Sequence, residues 1–532
     1  MNYKYVKVNS SFINFLKKNL LDFLKNYKYY YFLNKHNQEL FKEFRKYNDT
    51  KNKNVIFVEL YADCSGTVAF SYLCNLLSKK HNARIIAVSI FFKTSTLHRL
   101  THYIGEKLSL GIYLIYKSFN CTTFEKVIPK IKKKPEIHIK DKREILKLKY
   151  KNILVGDLIY DSYLRYNSKA TIDINSKHFK EFLVGCYGYF DSVYELCNKY
   201  EVKASISSHT VYLGAFMGRL IAAIGGETYC AGITHIAKLT DKEFLLQRYE
   251  HYKDEFERFT KEKQEIYIEK SKELFIAKIS GEESSNMENL KFSPFAKKST
   301  LGDIIKKSEK IKVLIASHCF SDSPHSFGNW YFPDFIEWLN HLGTISDETD
   351  YEWYFKPHPN NVNNNKDAIH NFLNKYKKIK LIPTTTSHHD LKGKIDFVVT
   401  VWGNIAMDLA ALNINVINTI TNGRFSSFNF NINPKTFEEY DYLLRNLGED
   451  KKIKIDQNDL YKAFYMSNIE NNSNVFLKDY VKSMREIGWQ NKNTSIFFKV
   501  WLSQIDKEYH YSLINKISKF INTKHSSFKR MK

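Results

Sequence analysis

Apolar residues near the amino end fall at Ile13, Phe15, Leu16, Leu20, Leu21 and Leu24, with Lys17, Lys18, Lys25 and Lys28 among them. This helical period with a basic side predicts an amphipathic helix within residues 1–50, lying on an anionic membrane surface or packed on the domain that follows. From Lys53 the pattern changes to short apolar runs at 55–60, 84–90, 111–116, 153–159 and 204–207, separated by helical stretches. Strands alternating with helices predict a parallel sheet of βαβ units over residues 51–240. Residues 241–300 begin with a stretch dense in Glu, Lys and Arg among spaced aromatics, which predicts long exposed helix linking two domains. A second alternating series, 312–316, 351–355, 379–382, 397–401 and 415–418, predicts another doubly wound domain over 301–457. Residues 458–532 have spaced Leu, Phe, Tyr and Trp and predict helices closing against one or both domains. No short-period repeat is present.

At about 150 residues per domain, 532 residues accommodate this plan. Lys plus Arg number 81 against 57 Asp plus Glu, a net charge of +24, while 43% of residues are hydrophobic, so the chain is folded and basic rather than disordered. Such a charge attracts polyanions: nucleic acid, anionic lipid or phosphorylated substrates. The seven cysteines, with no CxxC pair, are too sparse for a disulfide framework or a cysteine zinc site. Without a cleavable leader or a run of about 18 apolar residues, the expected location is cytoplasmic, possible peripheral contact with the inner membrane face included.

Two such domains in tandem place a cleft between the carboxyl edges of two parallel sheets, where ligands bind in open α/β folds. The sharpest segment there is Tyr354-Phe355-Lys356-Pro357-His358-Pro359. Two prolines stiffen the loop after the strand, presenting His358 beside the charge of Lys356 to a nucleotide phosphate. The second is Asp396 to Leu412, where a buried strand ends at Gly403, Asn404 can cap the next helix, and Asp408 can accept from ribose hydroxyls or complement the helix dipole.

Together these segments resemble the carboxyl-terminal domains of GT-B-type transferases that build bacterial surface polymers: capsule transferases of the β-Kdo type, polysialyltransferases and CDP-glycerol glycerophosphotransferases. The resemblance implies a GT-B-like α/β fold of two Rossmann-like domains with helical extensions at both ends. It assigns donor contacts to His358, Lys356, Gly403, Asn404 and Asp408; Asn404 stands where those families carry a hydroxyl residue. The segment from Ser317 to His325 is similar to one in uncharacterised surface-carbohydrate proteins, and adds His318, Ser321, Asp322 and His325 as hydrogen-bonding groups toward the donor rather than as metal ligands.

If the first domain binds the acceptor, as the resemblance implies, it should supply the base. Asp157 and Asp161 are the first candidates, with Arg165 orienting a carboxylate or binding an anionic acceptor, and with Asp63 as the alternative. An ion pair of Asp157 with Arg165 bracing a turn is the competing structural reading. Gly225-Gly226-Glu227, Ser207-Ser208-His209 and His235 are weaker candidates. The sequence lacks GxxxxGK[ST], HExxH and GxSxG, and carries no RRM, KH or zinc-finger signature.

The expected activity is therefore metal- and cofactor-independent glycosyl transfer in surface polysaccharide synthesis. A sugar such as Kdo or sialic acid would pass from a nucleotide donor, CMP-linked by preference, to a glycan or lipid-linked glycan at an anionic membrane, with no nucleic-acid partner. The alternatives are CDP-polyol phosphate transfer, nucleotide-sugar epimerisation and a non-catalytic scaffold.

Overall fold

The computed structural model describes residues 27, 29–61, 64–92, 96–131, 137–246, 249–281, 294–295, 304–328, 330–359, 366–420, 423–470, 476–478, 483, 486–487 and 496–528. The first domain contains β1 (Asn54–Glu59), β2 (Arg84–Ile90), β3 (Thr123–Val127), the short hairpin β4 (Lys149–Tyr150) and β5 (Ile153–Leu154), then β6 (Glu201–Ser207), β7 (Glu227–Gly232) and β8 (His235–Leu239). Six of these form one sheet in the order β3-β2-β1-β6-β7-β8, parallel except for the antiparallel β7–β8 edge. Its central strands are apolar on both faces because both faces are covered. Val55 and Phe57 pack among Ile159, Phe190 and Phe216, whereas Ile56 and Val58 pack among Phe41, Phe44, Trp501 and Phe520.

In the second domain β9 (Lys312–Ala316), β10 (Glu352–Lys356), β11 (Ile379–Leu381), β12 (Phe397–Thr400) and β13 (Asn415–Asn418) form a wholly parallel sheet ordered β11-β10-β9-β12-β13. Strand order reverses once in each sheet, between β1 and β6 and between β9 and β12. The two Rossmann-like domains meet through loops at their carboxyl edges, a GT-B-like fold.

The charged segment after β8 does form helices, Tyr252–Glu257 and Lys261–Ile279, but it is not exposed throughout. Phe256 and Phe275 are buried in the core of the second domain. Lys253 binds Asp459 at 2.6 Å and Lys462 binds Glu257 at 2.6 Å, tying these helices to the Gln457–Phe464 helix. The chain then returns: helices Ile496–Gln504 and Lys507–Ile521 cover the first sheet. Described residues 29–47 also pack there through Leu33, Phe41 and Phe44. The basic amphipathic stretch from Ile13 to Leu24 lies outside the described residues.

Two expected strands are helices. Residues 111–116 belong to the helix Ile112–Ser118, which buries Tyr113, Ile115 and Tyr116. Its aromatic and β-branched composition suits a strand locally, and burial on more than one side hides the helical period. Of 153–159, only Ile153 and Leu154 pair as strand before the helix Gly156–Asn167 begins. That helix starts against the preceding chain, where a Cβ on Gly156 would lie 2.0 Å from the Ile145 carbonyl oxygen. β3 and β8 were not expected; their mixed polar positions carry no continuous apolar run.

Candidate functional site

His318 follows β9 directly at the reversal point of the second sheet. Its Nε2 accepts from the Val401 and Trp402 backbone N–H groups at 3.3 and 3.4 Å, and its ring stacks on Phe335 at 5.0 Å. Burial, with His358 and Arg424 nearby, lowers its pKa to about 3, so it acts as a neutral acceptor that fixes the turn after β12. Gly403 sits in this turn, and a Cβ there would be 3.5 Å from His318 Cε1. His358 is half-buried after β10, and its backbone N–H donates to Ser317 Oγ at 3.1 Å. Asn404 does not cap the helix Ile405–Ala410 with its side chain. Instead its Oδ1 accepts from Arg424 Nη1. The Arg424 guanidinium lies over the rings of Tyr249 at 5.1 Å and Phe327 at 5.9 Å. His358, His318, Gly403, Asn404 and Arg424 thus lie near one another at the carboxyl edge, with the Arg424 guanidinium as the fixed positive charge.

Other expected donor residues lie beneath it. Lys356 is 7% exposed, its Nζ donates to the Thr384 carbonyl at 2.8 Å, and burial lowers its pKa to about 8. Asp408 does not reach a ribose site: it is buried, and Oδ1 meets Lys278 Nζ at 2.5 Å with His388 Nδ1 3.9 Å from Oδ2. Burial raises the Asp408 pKa and Lys278 opposes that rise. Ser321 is wholly buried, so it presents no surface to a donor.

In the first domain Asp157, Asp161 and Arg165 lie four residues apart on one helix rather than on a strand-end loop. Asp157 is committed to Arg219, with Oδ1–Nη1 2.7 Å and Oδ2–Nη2 2.5 Å, so it is neither a free base nor the partner of Arg165. Asp161 is also enclosed, and its Oδ1 lies 2.6 Å from Nδ1 of His325 in the other domain. The expected donor ligand His325 is therefore an interdomain contact. Arg165 faces Asp322 at 3.6 Å, and Tyr212 Oη donates to Asp322 Oδ1 at 3.0 Å. His318, Asp322 and His325 go to different partners and do not converge on a metal position. Asp334, which caps the Phe335–Glu348 helix, accepts from Tyr160 Oη at 2.6 Å and Thr171 Oγ1 at 2.5 Å, adding two more interdomain bonds. Asp63 lies outside the described residues.

Two groups were missed or underweighted. Arg424 follows a short loop with no motif around it. Glu59 ends β1, and its Oε2 accepts from Ser208 N at 2.8 Å and Ser208 Oγ at 2.7 Å, across the reversal point of the first sheet. Ser208 Oγ in turn lies 2.7 Å from His209 Nδ1, and His209 is exposed. Thr210 Oγ1 accepts from Leu246 N at 3.1 Å, and Tyr249, three residues on, lies under Arg424.

No protein-family model matches this sequence, and no curated protein matches it. Among solved structures, the chain is similar to KpsC of Thermosulfurimonas dismutans, a beta Kdo 2,4 transferase, with 11% identity over 51% of this chain and 80% of that one and a TM-score of 0.29. It is similar to the Methanocaldococcus jannaschii UDP-GlcNAc 2-epimerase, solved with UDP-GlcNAc and UDP, with 10% identity over 77% and 97% of the two chains and a TM-score of 0.26. For the UDP-GlcNAc 2-epimerase of Neisseria meningitidis the values are 8% identity, 88% and 100% coverage, and a TM-score of 0.20. The fold assignment rests on this chain's own strand order.

Proposed function

We propose that this protein is a GT-B-type glycosyltransferase that uses a nucleotide-sugar donor. The observation carrying the proposal is that His358 and Arg424 both lie near His318, with Arg424 bound to Asn404, at the point where the order of the second sheet reverses. Ligands of open α/β sheets bind at this point. A guanidinium and an imidazole there suit a diphosphate or phosphodiester whose charge grows as the sugar leaves.

The acceptor hydroxyl then needs a base from the first domain. Asp157 and Asp161 are held by Arg219 and His325, and among the described residues the role is assigned to His209. Ser208, bonded to Glu59, lies 2.7 Å from His209 Nδ1 and orients the imidazole that takes the proton. The finer reading, a CMP-activated acidic sugar added to a surface glycan, is supported by the KPHP segment's resemblance.

The test is a thermal-shift titration with CMP, CDP, UDP, GDP and ADP on the native chain and on His358→Ala. One nucleotide at ~100 times its dissociation constant should stabilise the native chain by about 2.7 kcal/mol, and the shift should vanish in the variant. Stabilisation by none of the five overturns the proposal; a shift with UDP alone replaces the cytidine donor.

A further inference from the structure

The helix Thr96–Lys107 at the edge of the first domain turns its apolar face outward. Leu100, Tyr103, Ile104 and Leu108 are 50%, 52%, 43% and 64% exposed, and their spacing aligns them on one side. The exposed Arg99 and Lys107 share that side. The opposite side is the one that packs: His102 Nδ1 lies 2.7 Å from Tyr113 Oη, and a Cβ on Gly105 would be 3.1 Å from the Tyr113 ring. Lys126 from β3 reaches the same outer face, its Nζ 5.6 Å from the Tyr103 ring centre, with Lys107 Nζ at 5.7 Å. Among described residues the helix carries one acidic side chain, Glu106, and Lys126 neutralises it at 2.6 Å.

We infer that this face docks on an anionic lipid bilayer, with the four apolar side chains entering the headgroup boundary and Arg99 and Lys107 meeting lipid phosphates. An aliphatic stripe bordered by cations and a tyrosine is the arrangement that lies in an interface plane. The net charge of +24 draws the whole chain to such a surface. A second copy of the chain fits less well. A symmetric contact would set Arg99 and Lys107 against their own counterparts, and four side chains cover far less than the roughly 800 Å² per partner of a stable interface. The inference is independent of whether the protein transfers a sugar.

Flotation of the full chain with vesicles tests it, using equimolar phosphatidylglycerol and phosphatidylcholine against phosphatidylcholine alone. The native chain should float with the mixed vesicles and not with the neutral ones. The double variant Leu100→Asp/Ile104→Asp should bind the mixed vesicles at least about tenfold more weakly, while Tyr442→Asp, an equally exposed aromatic in the second domain, should bind as the native chain does. Arg99→Ser/Lys107→Ser, which keeps the apolar stripe, should weaken binding by roughly fivefold per cation. Circular dichroism of each variant establishes folding. Unchanged flotation of the Asp variant would mean that diffuse charge alone carries binding, and would overturn the inference. So would absence of flotation by the native chain, or a native dimer in sedimentation that the Asp variant abolishes.

Discussion

His325 and Asp161 bind one another across the domain boundary, Nδ1 to Oδ1 at 2.6 Å, with both side chains enclosed. The His325 backbone N–H also points to Asp161 Oδ2, at 3.3 Å. Burial alone would lower the His325 pKa, but the adjoining carboxylate outweighs it and the net direction is upward. Burial raises Asp161 as well, against the pull of His325. With Tyr160 and Thr171 on Asp334, and Tyr212 on Asp322, the first domain is held to the segment between β9 and the Phe335–Glu348 helix. The two domains are braced on this side of the cleft.

This gives a pH dependence of definite sign. A histidine whose folded pKa is raised contributes stability that is complete below its unfolded value of 6.5 and is lost as pH climbs through the folded value. The raised Asp161 acts in the same direction from 3.8 upward. Calorimetry of the native chain should therefore show this contribution declining above pH 6.5. Asp161→Asn should lower stability by about 2 kcal/mol at pH 6 and show a flatter profile above 6.5. A parallel profile in the variant would mean that the pair does not titrate in this range.

Much of the architecture was legible because strand periodicity survives in short apolar runs: β1, β2, β9, β10 and β13 fall where the pattern places them. The KPHP loop was legible for a different reason, since two prolines leave a strand-end histidine few alternatives. What could not be read is pairing between distant residues. Nothing near Asp157 indicates that Arg219, 62 positions away, will take its carboxylate, or that Lys278 will take Asp408 across 130 positions. Arg424 was invisible for the same reason: its partner Asn404 and the rings beneath it come from separate loops.

Gly156 marks a close approach that side chains cannot share. A Cβ there would meet Ile145 O at 2.0 Å and Leu146 C at 2.6 Å, both backbone atoms with nowhere to retreat. Gly156→Ala should therefore displace the helix bearing Asp157, Asp161 and Arg165, costing about 3 kcal/mol. Chemical denaturation would reveal this as a lower midpoint. A midpoint unchanged from the native chain would show that the helix start can shift freely.

Lys356 lies buried beside the proposed donor site and has no acidic partner among the described residues. Its folded pKa of about 8 against 10.5 unfolded means that the charged form is disfavoured by folding, by about 3 kcal/mol. Stability from this group thus rises as pH increases from 8 to 10.5. Lys356→Met loses the bond to Thr384 but removes that buried charge, so the variant should match or exceed native stability at pH 7 by up to about 2 kcal/mol, with the difference shrinking above pH 8. Its nucleotide-induced shift should persist, because Nζ faces Thr384. Loss of that shift would return Lys356 to the donor site.

Arg424 and Asp408 separate the proposed site from the expected one. Arg424→Ala should weaken binding of the stabilising nucleotide by about thirtyfold, the loss of a charge-assisted bond, and Arg424→Lys should recover part of it. Asp408→Asn should leave that affinity unchanged while lowering the melting temperature, since it strands Lys278 in the core at a cost of about 3 kcal/mol or more. Titration calorimetry measures the first effect and differential scanning the second. Reversal of the two, with Asp408 governing affinity, would place the ribose over the buried pair.

The base assignment depends on the ordered chain from Glu59 through Ser208 to His209, and each link has its own expected effect. His209→Gln keeps a polar side chain but cannot take the proton, so the turnover number should fall by about 10² to 10⁴ while the nucleotide shift and the donor KM are unchanged. Ser208→Ala and Glu59→Gln leave the imidazole in place but remove or weaken the contact that orients Nδ1, and should lower turnover by about tenfold to a hundredfold. A residue that only braced the β1–β6 junction would instead change melting temperature and KM together. Steady-state rates of nucleotide release, measured with the donor that the thermal titration selects, separate these outcomes, and native-level turnover in His209→Gln would move the base elsewhere in the first domain.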